Sequence, residues 1–317
     1  MTIKDIKQAA KASLVGNWGL GIGAWWLLKL IKGGVVFVSF FFLLIPFFGF
    51  LAFFAALIFF IYPLHVGLPW LFLGFVDKKP QNVGSLFAGF KNFWKIIGVF
   101  VMKELLLLMW FLAFCAPGLI LLVTSAIIES VGMLFISALI FFVGYIAGLV
   151  FIVIKALSYS QATYILKDGP ATGVIDAIDE SKQLMKGNKG KLFGTYMSFL
   201  LWYLPAVVLV FVGFVLMMVG IVFAISGNLN TMIYPPHFTD FSWEFIAPII
   251  IGFILFVVAG IYNFGISFYV TPYFYATKAT FYRSLVPARV IKRITEDTVV
   301  APAEVSMVST VEEQIIE

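Results

Sequence analysis

Apolar positions fill this chain in long blocks, and only short mixed segments separate them. No Asp, Glu, Lys or Arg occurs in Gly33–Val76, Leu105–Ile128, Ser130–Ile154, Leu192–Thr239 or Phe245–Thr277. A helix needs about 20 apolar residues to cross about 30 Å of hydrocarbon, so the pattern predicts an all-α, polytopic membrane protein. Six spans are expected, over about 18–44, 50–76, 94–127, 131–166, 192–225 and 245–277. Pro46-Phe47-Phe48-Gly49 reads as the first turn. Pro63 and Pro69 are expected to bend the second span, and Pro117-Gly118 to break the third.

The mixed segments carry a helical period. Between Ala171 and Lys186, Val174, Ile178, Ser181 and Met185 share one face, flanked by Ala177 and Leu184, while Asp176, Asp179, Glu180, Lys182 and Lys186 lie mostly opposite. Ile3, Ile6, Ala10 and Leu14 form a similar stripe with Lys4, Lys7 and Lys11 on the other side, and Ser85–Phe93 is a shorter amphipathic piece. Such a helix next to apolar spans is expected to lie on the membrane surface, with Val174, Ile178 and Met185 contacting lipid. Gly16-Asn17-Trp18-Gly19 and Gly187-Asn188-Lys189-Gly190 each close an amphipathic helix and open a span, so Gly16, Asn17, Gly187 and Asn188 form a helix-entry motif. In the same register Ile3 meets Val174, Ile6 meets Ala177 and Leu14 meets Met185.

Each even-numbered span also leaves through a similar exit: Phe75-Val76-Asp77-Lys78-Lys79-Pro80, Leu166-Lys167-Asp168-Gly169-Pro170 and Tyr282-Arg283-Ser284-Leu285-Val286-Pro287. These matches predict three parallel hairpins, each behind a cytoplasmic amphipathic helix, with units of about 1–80, 81–170 and 171–285 in one membrane domain. Residues 286–317, with weak periodicity and many acids, are expected to form a mostly flexible cytoplasmic tail.

Composition sharpens the class. Hydrophobic residues make up 62% and charged residues 12%, against about 25% charged in a soluble domain. The net charge of +5 follows from loop asymmetry and implies no nucleic-acid partner. All of the 21 Lys and Arg residues except Lys29, Lys32, Lys103 and Lys155 fall in 1–16, 77–95, 167–191 and 278–317. The turns at 45–49, 128–131 and 226–244 hold no cation, but carry Glu129, Asp240 and Glu244. An even number of spans places every cation-rich segment in the cytoplasm, so the expectation is N-in and C-in. The N-terminus shows no cleavage site and reads as mature protein. The single cysteine, Cys115, permits no intrachain disulfide and reads as a packing residue.

At several of these residues the chain resembles a known family. Gly16-Asn17-Trp18-Gly19, Ser158-Tyr159-Ser160-Gln161 with Tyr164-Ile165-Leu166-Lys167-Asp168, Ser181 with Leu184-Met185-Lys186-Gly187-Asn188-Lys189 and Leu192-Phe193, and Pro272-Tyr273 with Thr277-Lys278-Ala279 and Phe281-Tyr282-Arg283 are similar to the integral membrane family called domain of unknown function 975. The resemblance covers about residues 1–285. It implies a bacterial plasma-membrane protein, mainly of Gram-positive bacteria, with no established activity or catalytic residues. Lys29, Lys32 and the tail after Val286 depart from the family pattern.

Candidate chemistry lies in the charges within spans. Lys29, Lys103, Glu104 and Lys155 all stand about 15–18 Å from their cytoplasmic ends, at about 1.5 Å per residue. A charge at mid-bilayer costs about 2.5–3.5 kcal/mol on insertion scales. Two arrangements meet that cost. In one, the four form a polar layer in which Glu104 pairs with Lys29 or Lys155 and spare positive charge faces an anionic ligand or lipid headgroup; in the other, the lysines snorkel. His65 and His237 fall in different segments without a carboxylate at ligand spacing, so no metal or cofactor site is expected. Gly144 and Gly148 read as a helix-packing face. No nucleophile–base constellation or nucleotide motif is present, and the chain reads as non-enzymatic. Two roles remain: transport or binding of a lipid, amphiphile or anionic small molecule, or a scaffold, immunity factor or bacteriocin-type peptide receptor with a membrane-protein or peptide partner. Anionic headgroups on the cytoplasmic side are expected partners in either case.

Overall fold

The computed structural model describes residues 1–45, 48–170, 172–233 and 243–286. Among these residues there are helices and turns but no strand. Six helical runs are long and apolar enough to cross a membrane: Trp18–Phe42, Gly49–Val76, Val83–Ile127, Val131–Asp168, Lys189–Ile225 and Ile246–Leu285. Their large exposed apolar side chains, among them Phe37, Phe135, Phe211 and Phe253, suit a hydrocarbon solvent. These runs coincide with the six expected spans to within a few residues at most ends. The expected turn at Pro46–Gly49 lies partly outside the described residues, and His237, Asp240 and the tail from Pro287 lie wholly outside them.

The chain divides into two units, one comprising residues 1–193 with Tyr275 onward, the other residues 194–274. In the first, α1 (Ile3–Ser13) begins with a reciprocal cap between Thr2 and Asp5. It leads through Gly16 and Asn17 into α2 (Trp18–Phe42). Then come α3 (Gly49–Ala56), a π-helical turn (Leu57–Ile61) and α4 (Tyr62–Val76). The wide turn falls where the ring of Pro63 would crowd the carbonyl four residues earlier.

The core of this unit is α4, in which Leu64, Val66, Leu68, Trp70, Leu71, Phe72, Leu73 and Phe75 are all buried. A 3-10 segment (Val83–Asn92), capped by Asn82 and Ser85, lies against it. Gly67 faces the Leu86 carbonyl so closely that an added Cβ would overlap it, and Gly89 stands in the same relation to the Pro63 carbonyl.

Two long helices, α5 (Phe93–Ile127) and α6 (Val131–Ser158), pack along each other. Contrary to the expected break, α5 runs unbroken through Pro117. A proline removes one backbone bond, and membrane helices tolerate that loss when neighbours cover it. Gly118 instead admits the backbone at Phe141, while Gly144 and Gly148 admit Phe114 and Phe111. Trp110 and Phe114 meet Phe151 with ring centroids 4.9 and 5.0 Å apart, and Ser125 bonds Ser137 at 3.1 Å. The fourth span is where a real break occurs: α6 ends at Ser158 and α7 (Ala162–Asp168) restarts after Gln161. Next comes α8 (Val174–Leu184), which packs on α5 and α7.

Helix α9 (Lys189–Leu200), a 3-10 turn (Leu201–Tyr203), α10 (Leu204–Ile233) and α11 (Trp243–Leu285) complete the chain. Within the second unit, α10 and α11 cross where Gly213 and Gly252 each lie against the other's carbonyl oxygen. The Tyr262 hydroxyl donates to the Trp202 carbonyl at 2.9 Å, and Phe199 meets Tyr273 at 5.1 Å.

Candidate functional site

Three span exits converge in the first unit. Asp77 follows the last residue of α4, Asp168 ends α7, and Arg283 sits in the last turn of α11. The Arg283 guanidinium is a planar fork with five N–H donors. Nε donates to Asp77 Oδ1 at 2.7 Å and Nη2 to Asp77 Oδ2 at 2.6 Å. The same group reaches Asp168, with Nη2 to Oδ1 at 2.9 Å and Nη1 to Oδ2 closer still. Side-chain exposures of 12% for Arg283, 16% for Asp77 and 11% for Asp168 keep the clamp largely out of solvent.

Further bonds extend the clamp. The Tyr282 hydroxyl donates to Asp168 Oδ2 at 2.7 Å, and its ring stacks on Tyr164 at 5.1 Å. Lys167 Nζ donates to the Trp70 carbonyl at 2.7 Å, while Trp70 Nε1 donates to the Thr163 carbonyl at 2.9 Å. Two carboxylates, one guanidinium and one ammonium therefore balance in charge where α4, α7 and α11 end. The sequence showed three alike exits, but not that opposite charges at matching positions would bind them.

The break between α6 and α7 is filled from α8. Ser181 Oγ donates to the Ser158 carbonyl at 2.8 Å and accepts from the Gln161 N–H at 3.1 Å. One hydroxyl thus serves two backbone groups that the interrupted helix leaves without partners. Beside it, Ile178 is 2% exposed and Met185 0%, while Val174 is half-buried against Gly98. This corrects the expectation that Ile178 and Met185 rest on lipid, while Val174 stays partly exposed. Their stripe faces protein, and periodicity alone does not distinguish an apolar partner inside the protein from one in the bilayer.

The helix-entry residues share a geometry. Gly16 and Gly187 have φ of +79° and +74°, in the left-handed region that favours glycine. Asn17 Nδ2 donates to the Ser13 carbonyl and Asn188 Nδ2 to the Leu184 carbonyl, each four residues back. Leu14 and Met185, two positions before the glycines, are both fully buried.

Within the spans, the expected pairing of Glu104 with Lys29 or Lys155 is not formed. Among the described residues no ion pair involves Glu104, which is exposed. Lys29 Nζ instead lies 4.3 Å from the Trp25 ring centroid, and Lys155 Nζ lies 4.3 Å from that of Trp110. Equal depth along separate helices does not fix which way each side chain turns. Lys103 joins a different group. Its Nζ lies 5.4 Å from the Phe100 ring, which also carries Tyr62 stacked at 4.9 Å and His65 edge-on at 5.5 Å. His65 Nδ1 is 3.3 Å from Lys32 Nζ. Sequence reasoning passed over Lys32 and His65 in this role. The available signal was that Lys32 is a second charge within the first span, and that His65 is a polar residue in the otherwise apolar run Gly33–Val76.

A protein-family model described as "Protein of unknown function (DUF975)" matches residues 1–289. The chain belongs to that family. No curated protein and no solved structure matches it.

Proposed function

We propose that this family member is a non-enzymatic, multi-pass protein of the bacterial plasma membrane that binds or moves an anionic lipid or amphiphile. In this reading the six spans form three parallel hairpins with both termini in the cytoplasm, as the distribution of cations favours. The matching corners at Gly16 and Gly187 support a repeated unit. The observation that carries the function is an excess of positive charge inside apolar helices. Lys29, Lys32, Lys103 and Lys155 interrupt the spans, with Glu104 as the neighbouring acid, and Lys29 and Lys155 lie over indole rings rather than beside a carboxylate. Charges so placed usually serve a pathway or a ligand.

Two measurements test this. In a Cys115→Ser background, Gln81→Cys and Asn188→Cys should react with an impermeant maleimide only after cells are opened, and Glu129→Cys should react in intact cells; the reverse pattern removes the orientation. Native mass spectrometry of the purified chain should show retained anionic phospholipid in preference to phosphatidylcholine. Equal retention, with a membrane protein or peptide recovered instead, would favour the scaffold or receptor role.

A further inference from the structure

The strongest unassigned feature is the group of nitrogens around Phe100. Lys32 on α2, His65 on α4 and Lys103 on α5 come from three helices distant in sequence, yet Lys32 reaches the His65 ring, and both His65 and Lys103 lie against the Phe100 ring. At about 1.5 Å per residue, Lys32 stands about 21 Å from the Trp18 end of α2 and Lys103 about 15 Å from the start of α5. Local sequence cannot account for the grouping, because each residue arrives on a separate span.

The hydrogen bond fixes the imidazole. An ammonium has donors only, so His65 Nδ1 accepts from Lys32 and Nε2 carries the proton. The ring therefore presents a second donor. Glu104, next to Lys103 in sequence, is in no ion pair among the described residues, which leaves one acid against two ammonium groups. Lys32 and Lys103 are half-buried and His65 is exposed, so the group can be reached from outside the protein. Lysine ammoniums bind phosphate oxygens as compact point charges, and Phe100 with Tyr62 provides an apolar floor beside them.

We propose that Lys32, His65 and Lys103 form one intramembrane binding site for a phosphate group, carried by a lipid headgroup or present as the free ion. The site rests on the anionic-ligand reading above and gives it a location. It differs from the expected layer in that Lys29 and Lys155 take no part.

The full chain in non-ionic detergent is titrated with dioctanoyl phosphatidic acid and read by native mass spectrometry, with dioctanoyl phosphatidylcholine as control. Saturable one-to-one binding of the phosphatidic acid is expected, weakened at least tenfold in Lys32→Met/Lys103→Met. Those changes remove charge from apolar spans, so the variant should insert and elute like the parent. Lys103→Arg should keep most of the binding. Displacement by millimolar inorganic phosphate identifies the free ion as sufficient, and resistance identifies the lipid headgroup; either result supports the site. Undiminished binding in the double methionine variant overturns it. If Lys29→Met/Lys155→Met abolishes binding instead, the anionic-ligand reading survives at another place. If the parent chain retains no phosphatidic acid, both readings fall.

Discussion

Replacing Arg283 by methionine isolates the clamp where three helices end. The side chain keeps most of its apolar stem, so the change removes one charge and four charge-assisted bonds rather than opening a large void. Asp77 and Asp168 then face each other at 16% and 11% side-chain exposure without their shared partner. Breaking a buried ion pair from one side costs about 3–5 kcal/mol, because a charge is left unpaired. Lys167 lies within reach of both carboxylates and compensates part of this, which places the expected loss near the lower end, about 3 kcal/mol. Adding Asp77→Asn restores neutrality between Asp168 and Lys167, so the double variant should recover about 1–2 kcal/mol of the loss. Equilibrium unfolding in mixed dodecyl maltoside–dodecyl sulfate micelles, followed by tryptophan fluorescence, measures all four corners of the cycle. A loss under about 1 kcal/mol for Arg283→Met, or a coupling under about 0.5 kcal/mol, would refute the reasoning.

The same unfolding assay checks three other expectations. Ser181→Ala strands the Ser158 carbonyl and the Gln161 N–H in a buried site and should cost about 2–3 kcal/mol. Gly187→Ala meets no atom within 4 Å, so its cost is conformational at φ +74° and should be about 1–2 kcal/mol, with Gly187→Asn costing less. Glu180 has its carboxyl pKa raised above the ordinary 4.5 by burial first and by the Asp168 charge second. The folded state therefore holds that proton more tightly than the unfolded one. Its contribution is fully present below pH 4.5 and is lost as pH rises through the folded value. Glu180→Gln should raise stability at neutral pH, with the gain vanishing toward pH 4, and a gain independent of pH would contradict that assignment.

Span number and most span ends were legible because lipid imposes them: a run such as Leu192–Thr239 has few other uses. What was not legible is rotation about each helix axis. Lys29 and Lys32 are three residues apart on α2, yet one lies over Trp25 and the other reaches His65. That choice depends on which neighbour each face meets, a property of packing rather than of depth. The stripe of Ile178 and Met185 failed as a lipid contact for a related reason, since α5 and α7 present an equally apolar surface to it. The break after Ser158 was hidden because the hydroxyl that makes it tolerable, Ser181, lies in a different segment.

The likeness between span entries and the unlikeness between span exits have one physical origin. An entry corner is a local problem: the chain must leave a helix, reverse through a left-handed residue and start another helix. Gly16-Asn17 and Gly187-Asn188 meet it with the same backbone and the same bond to a carbonyl four residues back. The exits at Asp77, Asp168 and Arg283 meet one another, and three identical charges at one place would repel. An acid, an acid and an arginine, with Lys167 beside them, give a neutral set that bonds. Residues satisfied within one segment can stay alike from one corner to the other, whereas residues that join segments have to differ. The informative positions for this fold are therefore those where similar segments carry opposite charge.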